Sequence, residues 1–466
     1  MKVLKFGGTC LGSEDTLHRV VKVVKDENEQ KVVVVSAASG VTNSMKDFVS
    51  KPRQEKEIDD FLLTMKLRHV DMLPKKDGQK RKETLELIEA KMTKLERLLY
   101  GVTYTEELTP RTNDLILSFG ERLSAIVVAS RLSHEGMDAV AMETDAMGMI
   151  TNELHGNAVA VLDKCEKNMG PALTGAVKKG VVPVVTGFFG ITESGHVTTV
   201  GRSGTDYSAA VVAYATDSRP VEIWKEVDGF MSADPKLVKE AFILERLSYE
   251  EAAELAYFGA QVLHPRAVQP ARLKGIEIVI KNLYKPEAPG TVIGKSKQVR
   301  KDNIIKSVSY LPNVATLKVY DAGAGYKSGF LADITDCLHK ANINIFSATT
   351  SQTCAAVLID EADIPHAKKA IKGIIGTVGE NFEVNSGMAL VCTVGEGFGQ
   401  TKGIAARVFN AVAAKNVNVD LISAGASMVA YHFTVERKDL KNTVAAIHEE
   451  FWGKVIRENT SNGPVS

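Results

Sequence analysis

The first 35 residues alternate between two patterns of apolar positions. Residues 3–6 and 31–35 are short apolar runs, and the second is β-branched almost throughout, as is typical of a strand buried on both faces. Between them Leu17, Val20 and Val24 recur at three- and four-residue spacing, which predicts one buried face of a helix. This order of strand, helix and strand predicts an α/β fold with a parallel sheet and helices on its faces.

Longer patterns divide the chain up to about residue 300. Residues 44–130 are charged and largely helical in pattern, and the stretch 83–100, rich in Glu, Lys and Leu, predicts a helical arm. Residues 266–300 contain three prolines and predict a domain end and a linker. Strand-like apolar runs lie at residues 139–141, 181–185 and 221–224.

The last third of the chain contains an internal repeat. Gly329-Phe330-Leu331-Ala332 and Gly403-Ile404-Ala405-Ala406 each open a helical pattern, and the two copies are offset by 74 residues. An Asn-x-Asn segment follows each helix at the same offset, and residues 342–345 and 416–419 are predicted as matching strands. Two such copies predict a pair of ferredoxin-like βαββαβ modules.

Composition excludes several classes of function. Lys+Arg and Asp+Glu number 57 each, so no global field favours nucleic acid or an anionic membrane. The five cysteines form no Cys-x-x-Cys pair, so we expect neither a disulfide framework nor a zinc site, and the composition fits a reducing cytoplasm. The N-terminus shows no signal peptide, and no apolar run approaches the roughly 20 residues of a membrane span.

Two glycine-rich segments are candidate phosphate or carboxylate sites. In Lys5-Phe6-Gly7-Gly8-Thr9-Cys10 the paired glycines allow close backbone approach to a phosphate, and Lys5 adds a point charge. Such a turn is also consistent with a plain strand-to-helix connection. In Gly201-Arg202-Ser203-Gly204-Thr205-Asp206, Arg202 suits a bidentate carboxylate contact. Asp206 is consistent with orienting Lys5 or a metal, and Thr205 or Asp206 with capping the next helix.

Two further segments carry polar groups at predicted loop ends. The segment Ser36-Ala37-Ala38-Ser39-Gly40-Val41-Thr42-Asn43 follows the strand at 31–35, where open α/β sheets bind ligands, although a helix-capping loop has the same composition. In Phe119-Gly120-Glu121-Arg122, Glu121 is suited to a substrate ammonium, and the alternative is an exposed first-turn glutamate favoured by the helix dipole.

Together these segments resemble the amino-acid kinase family and, within it, the aspartate kinases. Further matches are Glu222-Ile223-Trp224-Lys225-Glu226-Val227-Asp228-Gly229, Ala233-Asp234-Pro235-Lys236 and Phe258-Gly259-Ala260-Gln261-Val262-Leu263-His264-Pro265. The repeat resembles tandem ACT domains. The resemblance implies a mostly parallel amino-acid kinase domain over residues 1–295, a first ACT domain over 310–385 and a second over 386–466, the last completed by a strand from about 300–310.

The resemblance also implies a reaction: ATP, as its Mg²⁺ complex, phosphorylates the β-carboxylate of L-aspartate to 4-phospho-L-aspartate. This is the first step toward lysine, threonine and methionine. Catalytic roles fall to Lys5 and Asp206. Aspartate is expected to bind Ser36, Thr42, Glu121 and Arg202. Nucleotide is expected to bind Lys5, Gly7, Gly8, Lys225, Glu226, Met231, Lys236, Gln261 and Val262. No protein metal ligand is expected.

Regulation by an end-product amino acid is expected at the first repeat unit. A glycine turn at a helix start suits an effector carboxylate. The expected contacts are Lys327, Ser328, Gly329, Phe330, Ile345 and Phe346. Many lysine-inhibited relatives carry an acid where Phe346 stands, so lysine and threonine remain equal alternatives. We expect a homodimer or homotetramer formed through the ACT domains.

Two further departures from the family pattern and two alternative functions remain open. Lys225-Glu226 replaces the common Thr-Asp, which affects the expected adenine-side contacts, and Gln261 replaces a common lysine. Another amino-acid kinase, acting on glutamate or a nucleoside monophosphate, and a pure amino-acid sensor are the competing functions. A fusion to homoserine dehydrogenase is not expected, because no nucleotide-binding domain follows the repeat.

Overall fold

The computed structural model describes residues 1–75, 78–201, 203–260, 262–296, 304–398 and 401–461, with the side chains of the last helix only as far as residue 453. It forms two compact units. The first contains Met1–Phe230, Ile243–Ala253 and Gln261–Ser296, and the second contains Met231–Phe242, Glu254–Ala260 and Lys297–Ser466. No helix in the described ranges is long and apolar enough to cross a membrane.

The first unit is built on an eight-stranded sheet. Every neighbouring pair of strands is parallel except β9 and β10. In spatial order the strands are β3 (Ala139–Met142), β4 (Val182–Thr186), β2 (Lys31–Val35), β1 (Lys2–Phe6), β7 (Val221–Lys225), β9 (Ile278–Asn282), β10 (Thr291–Gly294) and β8 (Arg246–Ser248). A separate antiparallel hairpin joins β5 (Phe189–Ile191) to β6 (Val197–Thr199). The predicted mostly parallel α/β fold is confirmed.

Helices cover this sheet, because each carries one apolar stripe that needs burial. In chain order they are α1 (Glu14–Asp26), α2 (Val41–Val49), α3 (Glu55–Asp71), α4 (Gly78–Thr105), α5 (Pro110–Leu117), α6 (Phe119–His134), α7 (Leu162–Lys178), α8 (Gly204–Thr216), α9 (Tyr249–Tyr257), whose residues from Glu254 belong to the second unit, and α10 (Pro265–Lys274). The predicted arm is α4, and it is not detached: Ile88, Met92 and Leu95 are buried in the same core as β1 and β2.

The predicted linker at 266–300 is largely wrong. The segment contains α10, β9 and β10, and β9 extends the main sheet beside β7. One of its prolines, Pro270, lies within α10, whose first turn holds the preceding Pro265, where no N–H partner is needed. The end of the predicted linker, from 297, lies outside the described residues.

The second unit contains a six-stranded antiparallel sheet. Its spatial order is β12 (Ser347–Thr350), β13 (Cys354–Asp360), β11 (Ser307–Tyr320), β14 (Asn381–Val394), β16 (Ala430–Glu436) and β15 (Ile422–Ser423). The helices are α11 (Phe330–Lys340), α12 (Ile364–Lys372), α13 (Ile404–Ala413) and α14 (Leu440–Ser461). The 14-residue strands β11 and β14 pair along both halves, so the two repeat units share one sheet.

The predicted strands at 342–345 and 416–419 are wrong. Asn342 and Asn416 have φ of +57° and +55°, the left-handed conformation in which asparagine often ends a helix. The amide of Asn342 donates to the carbonyl of His339 at 2.8 Å, and that of Asn416 to Ala413 at 2.8 Å. The repeated Asn-x-Asn is therefore a helix-ending motif, and the strands β12 and β15 begin later.

Candidate active site

Three loops of the first unit meet at the carboxyl edge of the sheet, because β2, β1 and β7 are parallel neighbours. Hydrogen bonds continue past the strand ends: the Gly7 amide donates to the Trp224 carbonyl at 3.3 Å, and the Ser36 amide donates to the Phe6 carbonyl at 3.3 Å. Such an edge is where open α/β sheets hold their ligands.

The Gly7-Gly8 turn needs glycine at its second position. A Cβ atom on Gly8 would lie 2.8 Å from the carbonyl oxygen of Ala37, in the loop after β2. The turn continues into a single 3₁₀ turn, Gly8–Leu11, and α1 begins only at Glu14 with a Ser13 cap. The connection from β1 to α1 therefore contains one 3₁₀ turn.

A buried carboxylate between two lysines lies at this edge. Lys5 Nζ is 2.5 Å from Asp206 Oδ1, and Lys225 Nζ donates to Asp206 Oδ2 at 3.0 Å. The Asp206 and Lys5 side chains are 1% and 5% exposed, whereas that of Lys225 is 20% exposed. We call these three residues the lysine–aspartate cluster.

The electrostatics of this cluster follow from its burial. Burial alone would raise the pKa of Asp206, but the ammonium groups of Lys5 and Lys225 outweigh it and hold the pKa at about 2. Burial lowers the pKa of Lys5, and the second ammonium adds to this, while Asp206 opposes it. Asp206 does not cap α8, because the N-cap position is Ser203 and the Asp206 side chain binds the lysines.

A hydroxyl pair joins the loop after β2 to the start of α8. Ser36 Oγ donates to Thr205 Oγ1 at 2.8 Å. Thr205 is held closely, because a Cβ atom on Gly187 would lie 2.3 Å from Thr205 Cγ2. Thr205 was not among the predicted site residues; its place in the second glycine-rich segment, beside Asp206, is the signal that could have found it.

Glu121 lies in the first turn of α6 and is buried, so the exposed-glutamate alternative is wrong. Its Oε1 accepts from the Ala37 amide at 2.9 Å, whereas Oε2 is buried without a hydrogen-bond partner among the described residues. A Cβ atom on Gly120 would lie 2.7 Å from that of Ala37, so the preceding glycine permits this packing. Burial raises the pKa of Glu121 to about 8, although the charge of Lys5 acts in the opposite direction.

For the other residues predicted to bind aspartate or nucleotide, the structure gives burial only or does not describe them. Arg202 and Gln261 lie outside the described residues. Thr42 and Val262 are half-buried in the first unit, and Glu226 is exposed just after β7.

Met231 and Lys236 belong to the second unit. The Met231 carbonyl there accepts from Ser307 Oγ at 2.7 Å, and the exposed Lys236 donates its amide to Asp234 Oδ1 at 2.8 Å. Their nucleotide role stays a prediction.

The predicted effector residues cluster around the start of α11 in the second unit. Gly329 is its N-cap with φ +88°, and Ser328 is exposed beside it. Lys327 Nζ donates a hydrogen bond to the Val378 carbonyl at 2.7 Å. The Phe330 side chain is buried in the hydrophobic core of the second unit.

The remaining two predicted effector residues precede β12 instead of lying in a strand. Ile345 and Phe346 are half-buried, and the Phe346 ring packs edge-on against Tyr257 with centroids 6.1 Å apart.

The first-unit site can bind two kinds of group. Two ammonium groups and a glycine turn favour a polyanion, and a buried carboxylate oxygen without a partner favours a cation such as an ammonium. Among the described residues no group of three or more His, Cys, Asp or Glu side chains is arranged to hold a metal ion. All five cysteines are free thiols.

Comparison with family models gives the amino acid kinase family over residues 1–282 and an ACT domain over residues 391–451. The chain is 31% identical over 464 residues to aspartokinase 1, chloroplastic, of Arabidopsis thaliana, covering 97% of this chain and 80% of the relative. It is 30% identical to the bifunctional aspartokinase/homoserine dehydrogenase 1, chloroplastic, of the same plant, over 97% of this chain and 51% of the relative. The chain thus spans about half the length of that bifunctional relative.

Solved structures resemble the whole chain. Escherichia coli aspartokinase III in complex with aspartate and ADP (R-state) has a TM-score of 0.81 and 25% identity, covering 97% of this chain and all of the other. The same E. coli enzyme in complex with lysine and aspartate (T-state) has a TM-score of 0.80 and 25% identity, over 97% and 99% of the two chains.

Proposed function

We propose, from the premise that the chain belongs to the amino acid kinase family and within it to the aspartokinases, that it transfers the γ-phosphoryl group of ATP to the β-carboxylate of L-aspartate. One observation of the site carries the proposal best: the unpartnered Glu121 Oε2 lies near enough to the lysine–aspartate cluster for Lys5 to influence its pKa. A cation-binding carboxylate beside a polyanion site suits an amino-acid zwitterion and ATP.

The reaction needs no general base. The substrate carboxylate is ionised at neutral pH, because a reference carboxyl pKa is about 4. One of its oxygens attacks the γ-phosphorus, the bond from that phosphorus to the β,γ-bridging oxygen breaks, and ADP leaves with the electron pair. The product is 4-phospho-L-aspartate. The work of the protein is to bring two anions together and to stabilise charge on the transferring group.

Individual side chains support this division of labour. Lys5 and the Gly7-Gly8 backbone face the transferring phosphoryl group, with Asp206 holding Lys5 at 2.5 Å. Glu121 receives the substrate ammonium, Ser36, Thr42 and Thr205 lie on the aspartate side, and Arg202 binds the α-carboxylate. Mg²⁺ enters with ATP, bound to phosphate oxygens, and neutralises part of their charge.

Regulation by an amino acid is proposed for the second unit. The E. coli structure solved with lysine and aspartate supports an amino-acid effector for this fold. Lysine and threonine remain equal alternatives at the start of α11. We further propose the first step toward lysine, threonine and methionine as the metabolic role, a homodimer or homotetramer formed through the ACT domains, and a cytoplasmic location.

The test is an ADP-release assay with hydroxylamine present, which traps an acyl phosphate as its hydroxamate. L-Aspartate should give both ADP and hydroxamate, whereas L-glutamate and nucleoside monophosphates should give neither. Turnover with glutamate or a nucleoside monophosphate would assign another amino-acid kinase. Absence of turnover together with effector binding in a thermal-shift panel of lysine, threonine, methionine and S-adenosylmethionine would assign a pure sensor.

A further inference from the structure

The lysine–aspartate cluster holds one more positive charge than its carboxylate neutralises. We propose that Lys225 is a phosphate-binding residue: Asp206 holds it when the site has no nucleotide, and it contacts the β- or γ-phosphate when ATP binds. This assignment rests on the proposed function for the identity of the nucleotide, and it moves Lys225 from the expected adenine side to the phosphate side.

Lys5 and Lys225 differ in how far their side chains are buried, and this indicates different roles. Lys5 is 5% exposed and its Nζ lies 2.5 Å from Asp206 Oδ1, so Asp206 and Lys5 form a buried ion pair. Lys225 is 20% exposed and binds the other oxygen at 3.0 Å. Burial is the main cause of the lowered pKa of Lys5, and repulsion by the second ammonium, that of Lys225, adds to it. An incoming anion would remove this repulsion.

The position of Lys225 in the sheet brings it to the glycine turn. It is the last residue of β7, directly after Trp224, whose carbonyl accepts from the Gly7 amide at 3.3 Å. The Lys5 ammonium lies 3.7 Å from the point where a Gly7 Cβ would be. Because one carboxylate holds both ammonium groups, Lys225 Nζ shares the neighbourhood of Lys5 and the glycine turn. Its flexible side chain and partial exposure allow it to turn from Asp206 to a phosphate oxygen.

Nucleotides of different phosphate length distinguish this role from simple support of Asp206. The experiment measures the Kd of ATP, ADP and AMP for the full chain by calorimetry, with Mg²⁺ and without aspartate. Lys225→Met should raise the Kd of ATP about tenfold while that of AMP changes by less than about twofold, and Lys225→Arg should keep ATP within about threefold of wild type. Lys25→Met, which removes an exposed lysine paired with Glu135 at 2.7 Å, is the matched control and should change none of the constants.

A wild-type measurement avoids any dependence on the variants folding. ATP with Mg²⁺ should protect Lys225 from an amine-reactive reagent, as read by mass spectrometry, and AMP should not. Equal loss of affinity for all three nucleotides in Lys225→Met, unchanged ATP affinity, or equal protection by AMP would overturn the proposal. Because aspartate is absent throughout, failure of the aspartate assay leaves this test unaffected, and the two proposals fail separately.

Discussion

Replacement of Glu121 by glutamine tests the substrate-ammonium site most directly. The carboxyl group is buried, its Oε1 is held by the Ala37 amide at 2.9 Å, and Oε2 has no partner in the described part of the chain. Glutamine keeps the size of the side chain and removes only the charge that an ammonium would need. We therefore expect Glu121→Gln to raise the KM for aspartate and to leave the KM for ATP nearly unchanged.

The magnitude depends on pH, because burial raises the pKa of Glu121 to about 8. At pH 7 only about one molecule in ten carries the ionised carboxylate. Each pH unit below 7 lowers the affinity for an ammonium about tenfold. Wild-type aspartate affinity should thus rise about tenfold from pH 6 to pH 7 and level off above about pH 8.5. A charge-assisted hydrogen bond contributes about 1.5–3 kcal/mol, so Glu121→Gln should raise KM about 10- to 100-fold at pH 8, and the two enzymes should converge near pH 6.

The same substitution should stabilise the enzyme without substrate. A raised carboxyl pKa means that the folded state holds a proton that the unfolded state releases, so stability falls as pH rises between the two values. With pKa values of 4.5 unfolded and about 8 folded, Glu121→Gln should be more stable than wild type by up to roughly 5 kcal/mol at pH 8.

The assay is aspartate KM from pH 6 to pH 8.5, with thermal melts at both ends. Glu135→Gln, at the exposed end of the same helix, is the control and should follow wild-type KM throughout. An aspartate KM that is flat with pH, or a Glu121→Gln enzyme with wild-type KM at pH 8, would refute the reasoning.

Three further predictions address the lysine–aspartate cluster and the effector site. Lys5→Ala should lower kcat by about 10² or more with little change in aspartate KM, measured by steady-state kinetics, because its charge acts on the transferring phosphoryl group; near-normal turnover would remove Lys5 from the site. Asp206→Asn should destabilise the fold by about 3–5 kcal/mol at pH 7 in denaturant titrations, because it leaves two ammonium groups without their buried partner. Its depressed pKa of about 2, against 3.8, places that stabilisation above pH 4 and predicts its loss as pH falls through 2, which acid melts would reveal. Ser328→Asp should weaken inhibition by lysine or threonine through carboxylate repulsion, whereas Lys402→Asp, the equivalent position of the second repeat, should not; inhibition that survives Ser328→Asp would exclude the start of α11.

Sequence patterns were sufficient for the elements whose periodicity is local. The valine run at 31–35 became β2, and the glycines at 329 and 403 became the N-caps of α11 and α13. Where the patterns failed, a single backbone conformation decided the outcome. Asn342 and Asn416 begin β-branched, strand-like segments, but their positive φ ends a helix instead.

The geometry of the site could not be predicted from sequence. That Lys5 and Asp206 meet depends on the packing of α8 against β1, which brings together residues 201 positions apart in the chain. The glycine, lysine and acidic residues in the motifs suggested the chemistry, but the surroundings of each buried carboxyl group determine its pKa. Asp206, between two ammonium groups, has a lowered pKa, and Glu121, against a single amide, has a raised one. The same carboxyl chemistry thus gives a permanent anion at Asp206 and, at Glu121, a carboxyl group whose pKa lies near 8.

The two compact units follow contacts within the chain and not chain order. Residues 231–242 and 254–260 lie within the stretch matched by the amino acid kinase family, yet they belong to the second unit. Specific contacts hold them there: Ser232 Oγ lies 3.0 Å from His448 Nε2 of α14, and Tyr310 of β11 donates to Asp234 Oδ2 at 2.7 Å. The first of these segments begins six residues after Lys225. The chain that leaves β7 at Lys225 therefore enters the second unit within six residues.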